Sequence, residues 1–195
     1  MRRIRLALVA PLALALTGCG YNTIQKHDEQ AQAAKQQIEV QLQRRADLIP
    51  NLVNTVKAVA QQEQDVFIKV AEARSGLLGA VKGGDPARMA DANQALTGAL
   101  GRLMVVAEAY PQLKSDQSFL RLQDELTGTE NRIAVSRTDY NGAVQTYNTY
   151  IRTFPAVLTA KVTGAKERTY FEVTNAAARD VPTVDFSKPA GAKQP

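Results

Sequence analysis

The sequence predicts an all-α protein: an elongated up-and-down antiparallel bundle of four helical pieces, whose first long helix is kinked near Pro50. Three observations support this fold class. Residues that favour helix (Ala, Gln, Leu, Glu and Arg) dominate from Thr23 to about Phe154, and glycine is scarce inside the periodic runs. Apolar residues recur in alternating steps of four and three, which is typical of bundles and coiled coils. Short linkers join the runs, and such linkers make neighbouring helices antiparallel.

The chain begins with the three parts of a secretory signal. Residues 1–5 are basic, residues 6–16 (LALVAPLALAL) are apolar, and Thr17 and Gly18 are small. The apolar run is shorter than the roughly 20 residues that span a bilayer. We therefore expect residues 1–18 to be a signal peptide that is removed.

The residues around Cys19 predict a lipid anchor. Leu16-Thr17-Gly18-Cys19 resembles the lipobox of bacterial lipoproteins, in which the thiol receives a diacylglyceryl group and the new amine is commonly acylated, for example with palmitate. Two or three acyl chains exceed the marginal anchoring that one chain provides. The alternative is an ordinary signal peptide followed by an incidental cysteine, but Cys19 is the only cysteine and has the lipobox spacing.

The predicted location is the cell envelope, with the chain anchored through Cys19 to membrane lipid and facing the periplasm or the exterior. Gly20 follows the cysteine, where enterobacterial proteins retained at the inner membrane carry Asp, so the outer membrane is favoured. Three of the five net positive charges come from Arg2, Arg3 and Arg5, which leaves two on the rest of the chain. A domain so close to neutral has no electrostatic reason to bind nucleic acid or anionic lipid.

The first helical run carries its apolar residues in one seam, which only Arg45 and Glu63 interrupt. Pro50 lies inside the run, where it removes a backbone hydrogen bond and disfavours helix at the preceding residue, so we expect a kink or short break between Asp47 and Asn51. The seam consists of Ile38, Leu42, Ile49, Leu52, Val56, Val59, Val66, Val70, Ala73 and Leu77.

Caps and prolines divide the rest of the helical stretch. The first run stops at Gly83-Gly84, and Asp85-Pro86 then supplies an N-cap and a proline in the first helical position. The second run ends at Tyr110-Pro111. Ser115-Asp116 supplies caps for a third run, which closes at Phe154-Pro155.

The sequence predicts no enzyme, no metal site and no cofactor. His27 is the only histidine and precedes the first seam, no Cys or His pair has metal-ligand spacing, and no serine has a histidine partner. The glycines at 79, 83 and 84 follow no strand and precede no Gly-Lys-Ser/Thr, so they mark a helix end and not a phosphate-binding loop.

Charged residues on or beside the apolar seams form a candidate interior polar network. Buried charges are costly unless they are paired, so we expect Arg–Glu pairs between helices that fix the helix register. The alternative is a polar groove that binds a peptide or glycan. The candidates are Arg45, Glu63, Glu108, Glu130 and Arg137.

Two Tyr-Asn pairs lie one heptad apart in the third run, at Tyr140-Asn141 and Tyr147-Asn148. We expect the rings to pack inward and the hydroxyls and amides to form hydrogen bonds across helices, in preference to lining a ligand site.

In combination these residues resemble the LemA family of bacterial envelope proteins. The resemblance implies a tethered four-helix bundle with no established catalytic residues, although many members begin with an uncleaved transmembrane helix where this chain has a lipobox. The main matching stretches are Tyr21-Asn22, residues 41–53 (QLQRRADLIPNLV), Val56-Lys57, Glu63, Ala73-Arg74, residues 108–114 (EAYPQLK), Phe119, residues 122–126 (LQDEL), Glu130, Arg137, the two Tyr-Asn pairs and Phe154-Pro155.

The predicted organisation is a signal peptide at 1–18, a lipidated terminus and short linker at 19–23, a LemA-like bundle at 24–172 and a flexible tail at 173–195. The leading functional hypothesis is a non-catalytic envelope scaffold or adaptor for partner proteins. The second is a binding protein for an envelope small molecule or polymer, such as a peptidoglycan fragment. A third is homo-oligomerisation through apolar seam left uncovered.

Overall fold

The computed structural model describes the backbone of residues 2–173 and the side chains of residues 20–173. Within these limits the chain forms six helices and no strand, which confirms the all-α prediction. The predicted removal of residues 1–18, the lipidation of Cys19 and the flexible tail beyond residue 173 concern parts outside the described side chains. The helices are α1 (Arg2–Lys57), α2 (Gln64–Gly83), α3 (Pro86–Ala109), α4 (Pro111–Lys114), α5 (Gln117–Arg152) and α6 (Ala156–Thr163).

The bundle is built from two antiparallel pairs. α1 packs along α5, and α2 packs on α3 as a shorter hairpin beside them. Lys35 Nζ donates to the carbonyl of Gly84 at 2.9 Å, so the α2–α3 turn lies partway along α1. The turns at 58–63 and 110–116 consequently lie at the end of the rod opposite residue 20.

The predicted break at Pro50 is not found, because α1 is helical without interruption through that residue. A proline has no N–H, so the carbonyl of Ala46 lacks its usual helical donor. Arg74 of α2 takes that role: its Nε donates to the Ala46 oxygen at 2.8 Å. The neighbouring helix therefore satisfies the acceptor that Pro50 leaves free.

The division of the first run lies instead at residues 58–63, between α1 and α2. Short backbone bonds tighten this turn, including Ala60 N to Val56 O at 2.8 Å and Glu63 N to Ala60 O at 3.2 Å. The segment contains no glycine or proline, so local chemistry gave little sign of it.

The predicted caps are confirmed. Asp85 accepts from the N–H groups of Ala87 and Arg88, and Asp116 accepts from those of Ser118 and Phe119 at 2.8 and 2.9 Å. At the end of α2, Gly84 has a φ of 69°, a left-handed conformation that glycine adopts without a steric penalty.

Two apolar clusters form the core. The larger one runs along the seams of α1, α2, α3 and α5, and the seam residues Ile38, Leu42 and Leu52 are fully buried in it. The smaller one lies near residue 20 and joins Ile24 of α1, Tyr147 and Ile151 of α5 and Ala160 of α6. The bundle thus has a small separate core at the end that leads to Cys19.

After α6 the chain continues to pack against the bundle. Residues 165–173, which we call the strap, contain no helix and run back along α5, where Phe171 is buried in the larger core. The bundle therefore includes a non-helical C-terminal segment in addition to its helices.

Candidate functional site

Arg45 is the centre of the interior polar network. Its guanidinium joins three helices: Nη1 donates to Asn93 Oδ1 at 2.5 Å and pairs with the Glu130 carboxylate, and Nη2 donates to Thr97 Oγ1 at 3.1 Å. The Arg45 side chain is 6% exposed and that of Glu130 is 44% exposed. Because α1, α3 and α5 meet at one cation, this network fixes their register.

The surroundings of the Arg45 guanidinium shift its pKa in two opposite directions. Burial lowers the pKa of Arg45, while the negative charge of Glu130 opposes that fall. An arginine begins so far above neutral pH that it remains charged in the core. Its chemistry is therefore that of a fixed cation.

The other three predicted members do not join this network. Glu63 is half-buried in the turn immediately before α2, and Glu108 and Arg137 are exposed. Residues beside a seam are turned about 100° from it and remain inside only where a partner helix offers an opposite charge. Gln41 contacts Arg132 across α1 and α5 at 3.2 Å, and this antiparallel register puts Gln36, not an acid, level with Arg137.

The two Tyr-Asn pairs hold the strap. The rings of Tyr140 and Tyr147 are buried, as predicted, but the Tyr140 hydroxyl and both asparagine amides bind backbone of the strap and not another helix. Tyr140 donates its hydroxyl to the carbonyl of Thr169 at 2.7 Å. Burial raises the pKa of both tyrosines.

Each asparagine forms a two-bond rung with one strap residue. Asn148 accepts from the N–H of Arg168 at 2.8 Å and donates to its carbonyl at 2.9 Å. Asn141 does the same with Phe171, at 2.9 and 3.3 Å. The carboxamides thus act as the backbone of a neighbouring strand would in an antiparallel pair.

The heptad spacing of the asparagines matches the strap. Seven helical residues advance about 10.5 Å, at about 1.5 Å each. Three extended residues advance about 10 Å, at about 3.3 Å each. Rungs at 148 and 141 therefore coincide with strap residues 168 and 171, which explains why the Tyr-Asn pairs repeat at this interval.

Arg168 joins the strap to the start of the bundle. Its Nε and Nη2 donate to the two oxygens of Asp28 at 2.7 and 3.0 Å, Nη1 donates to Gln32 Oε1 at 3.2 Å, and the guanidinium lies 5.9 Å from the centre of the Tyr147 ring. The hydrogen bond to Asp28 raises the pKa of Arg168. The sequence gave no sign of this contact, because its residues are far apart along the chain.

Two of the three predicted residues outside the network, Arg137 and Glu108, line features of the surface. Arg137 lines an open groove between α5 and the end of the strap. Glu108 lies with Lys114, Met104, Phe119 and neighbouring residues around a recess of about 190 Å³ at the tip of the rod. In the described residues, no group of three or more His, Cys, Asp or Glu side chains could hold a metal ion.

Comparison with known families identifies one that matches most of the chain. The model of the LemA family matches residues 34–186. The chain belongs to the LemA family. The match confirms the resemblance predicted from the sequence, and because it begins at residue 34 it does not include Cys19.

Relatives in this family include magnetosome proteins. Magnetosome protein MamQ 2 of Paramagnetospirillum magneticum AMB-1 is 33% identical over 190 residues, which covers 86% of this chain and 69% of the relative. Magnetosome protein MamQ of Magnetospirillum gryphiswaldense MSR-1 is 32% identical over 174 residues, with shares of 77% and 64%. No helix among the described residues is both long and apolar enough to cross a membrane.

Proposed function

We propose that this chain is a lipid-anchored, non-catalytic protein of the cell envelope that serves as a scaffold or adaptor for partner proteins. LemA membership and the similarity to magnetosome proteins support a membrane-associated location. The observation that carries the scaffold role is how the polar groups inside the bundle are used. Arg45, Asn141, Asn148 and Arg168 all bind other parts of the same chain, so they serve rigidity and register.

A rigid rod suits an adaptor. From Gly20 to Lys57 α1 extends about 55 Å, at about 1.5 Å per residue, so partners could bind well away from the anchor. Four helices each present an exposed apolar side chain along this length, and such residues can contact partner proteins. They are Val40, Ile68, Val105 and Val135.

Site-specific photo-crosslinking in the intact cell tests the scaffold role. A photoreactive amino acid is introduced at each of these four positions, and at exposed Gln94 as a polar control on α3. We expect adducts with other envelope proteins at one or two positions on one side of the rod. Adducts of twice the chain's own mass would indicate the homo-oligomer instead, and no adduct at any position would contradict the proposal.

The anchor has its own test. The intact mass of the protein from membranes is compared with that of a Cys19→Ser variant. We expect the unsubstituted chain to lack residues 1–18 and to carry diacylglyceryl and acyl groups, and the variant to carry neither. An unprocessed, unmodified chain with Cys19 intact would overturn lipid anchoring.

A second candidate is binding of an envelope small molecule or glycan fragment in the recess at the tip. Its apolar lining, with Glu108 and Lys114 at its edge, favours a small amphipathic ligand. The volume of about 190 Å³ is smaller than the roughly 300–1,000 Å³ typical of ligand pockets, so the scaffold role is preferred. The test is titration of a peptidoglycan disaccharide-peptide into a Leu120→Trp chain; unchanged tryptophan emission would count against this candidate.

A further inference from the structure

The two most exposed large apolar side chains in the described part of the molecule, and a third exposed one, lie in and beside α6. Val162 is 88% exposed, Phe154 is 81% exposed and Leu158 is 58% exposed. Leu158 and Val162 are one turn apart, on the side of α6 opposite the buried Ala156 and Ala160. The bundle therefore covers one apolar side of this short helix and leaves another apolar side open.

This open side lies at the end of the rod that leads to the anchor. A Cβ atom on Gly20 would lie 3.1 Å from Thr159 Oγ1, so α6 is level with the residue that follows Cys19. Tyr21, the next residue of α1, is also exposed. The apolar segment 6–16 precedes this point in the same helix. A surface that binds the first residues of the chain would therefore also lie next to α6.

The charges at this end favour an anionic surface. Residues 20–29 and 152–168 contain five Lys or Arg and three Asp or Glu, a net charge of +2 (5 minus 3). Asp28 pairs with Arg168 and Glu167 pairs with Arg152, while the side chains of three lysines at this end are exposed. The lysines are Lys26, Lys161 and Lys166.

We propose that the apolar side of α6, made of Leu158 and Val162, lies in the surface of the phospholipid bilayer together with Phe154 just before the helix, with the lysines against anionic headgroups. The proposal rests on the proposed tether at Cys19, which brings this end to the membrane. Interfacial helices bury an apolar face about 5–10 Å into the boundary between headgroups and acyl chains. Membrane contact at both Cys19 and α6 sets the tilt of the rod, which a lipid anchor alone leaves free.

Tryptophan fluorescence tests this contact, because the chain contains no tryptophan. Phe154→Trp and Val162→Trp are made in the full chain, purified from membranes and reconstituted into vesicles of phosphatidylethanolamine and phosphatidylglycerol with brominated acyl chains. Val105→Trp is the matched control: it is 67% exposed on α3, beyond the residues that Arg45 contacts and near the opposite end of the rod.

In these vesicles we expect the emission of both α6 variants to shift to the blue and to be quenched roughly twofold by brominated lipid, as for side chains in the interface. The Val105→Trp emission stays red and unquenched. Red, unquenched emission from the α6 variants would overturn the proposal. A blue shift without quenching by brominated lipid would overturn it too, because it would mean that protein, such as a second copy, covers this side.

A charge-reversal arm tests the role of the lysines. Adding Lys161→Glu and Lys166→Glu to Phe154→Trp is expected to weaken quenching in vesicles with phosphatidylglycerol and to have little effect in purely zwitterionic vesicles. Equal quenching in both would contradict the anionic-headgroup contact. Intact mass on the same samples reports lipidation separately, so a failed tether and a failed α6 contact give different results.

Discussion

Arg74→Met tests whether Arg74 replaces the hydrogen bond that Pro50 cannot supply. The carbonyl of Ala46 lacks a helical donor because Pro50 has no N–H, and Arg74 Nε lies 2.8 Å from this oxygen. Ala46 is fully buried, so water does not readily take the place of the donor. Methionine keeps much of the length of the arginine stem but cannot donate.

The expected magnitude follows from this geometry. A buried acceptor left without a partner costs about 1–3 kcal/mol, and since Arg74 is only half-buried we expect Arg74→Met to lower the free energy of unfolding by about 1.5 kcal/mol. In a Pro50→Ala chain the alanine N–H can bind the Ala46 carbonyl, so the same change is expected to cost about 0.5 kcal/mol. The resulting coupling of about 1 kcal/mol exceeds the roughly 0.3–0.5 kcal/mol scatter for independent sites.

Urea denaturation followed by far-ultraviolet circular dichroism measures the four chains of this double-mutant cycle. Arg132→Met is the control, because Arg132 binds the side chain of Gln41 on the surface and is expected to show no coupling to Pro50. If Arg74→Met costs the same with proline or alanine at position 50, Arg74 does not compensate for the proline.

Three further predictions concern the polar network and the strap. Glu130→Met leaves the buried Arg45 guanidinium without its carboxylate and is expected to lower the free energy of unfolding by about 3 kcal/mol. Arg45→Met leaves a carboxylate that water can reach and is expected to lower it by about 1–2 kcal/mol. Urea denaturation that gives the reverse order would contradict this. Asn148→Leu removes both bonds to Arg168 and is expected to speed hydrogen exchange across the strap while leaving α3 unchanged; protection retained in the strap would refute its role as a rung. The raised pKa of Tyr140 means that the folded state holds this proton more tightly than the unfolded state, so its contribution is intact below about pH 10 and is lost above it. Tyr140→Phe is therefore expected to reduce the loss of stability between about pH 9 and about pH 11, and an identical alkaline decline in both chains would count against this.

Features with a local chemical cause could be predicted from the sequence. Asp85 and Asp116 cap helices through their own side chains within three residues, and the spacing of apolar residues alone gave the seams. The pairing of Arg45 with Glu130 could also be expected, since a cation on a seam needs a partner.

Features that depend on tertiary packing could not be predicted. The prediction of a break at Pro50 was wrong because the donor that compensates for the missing N–H, Arg74 Nε, belongs to another helix. The turn at 58–63 contains neither glycine nor proline, and only Glu63 interrupts the seam there. The packing of the strap was not predicted because its partners are side-chain amides on a helix, and nothing in residues 165–173 themselves indicates those partners.

The contact between Arg168 and Asp28 has a consequence for the order of assembly. It joins residues 140 positions apart, whereas the α2–α3 hairpin forms from neighbouring residues. Contacts with large sequence separation carry the larger entropic cost of closure and tend to form late. We therefore expect the hairpin to fold early and the end beside Cys19 to be the final part of the bundle to become rigid.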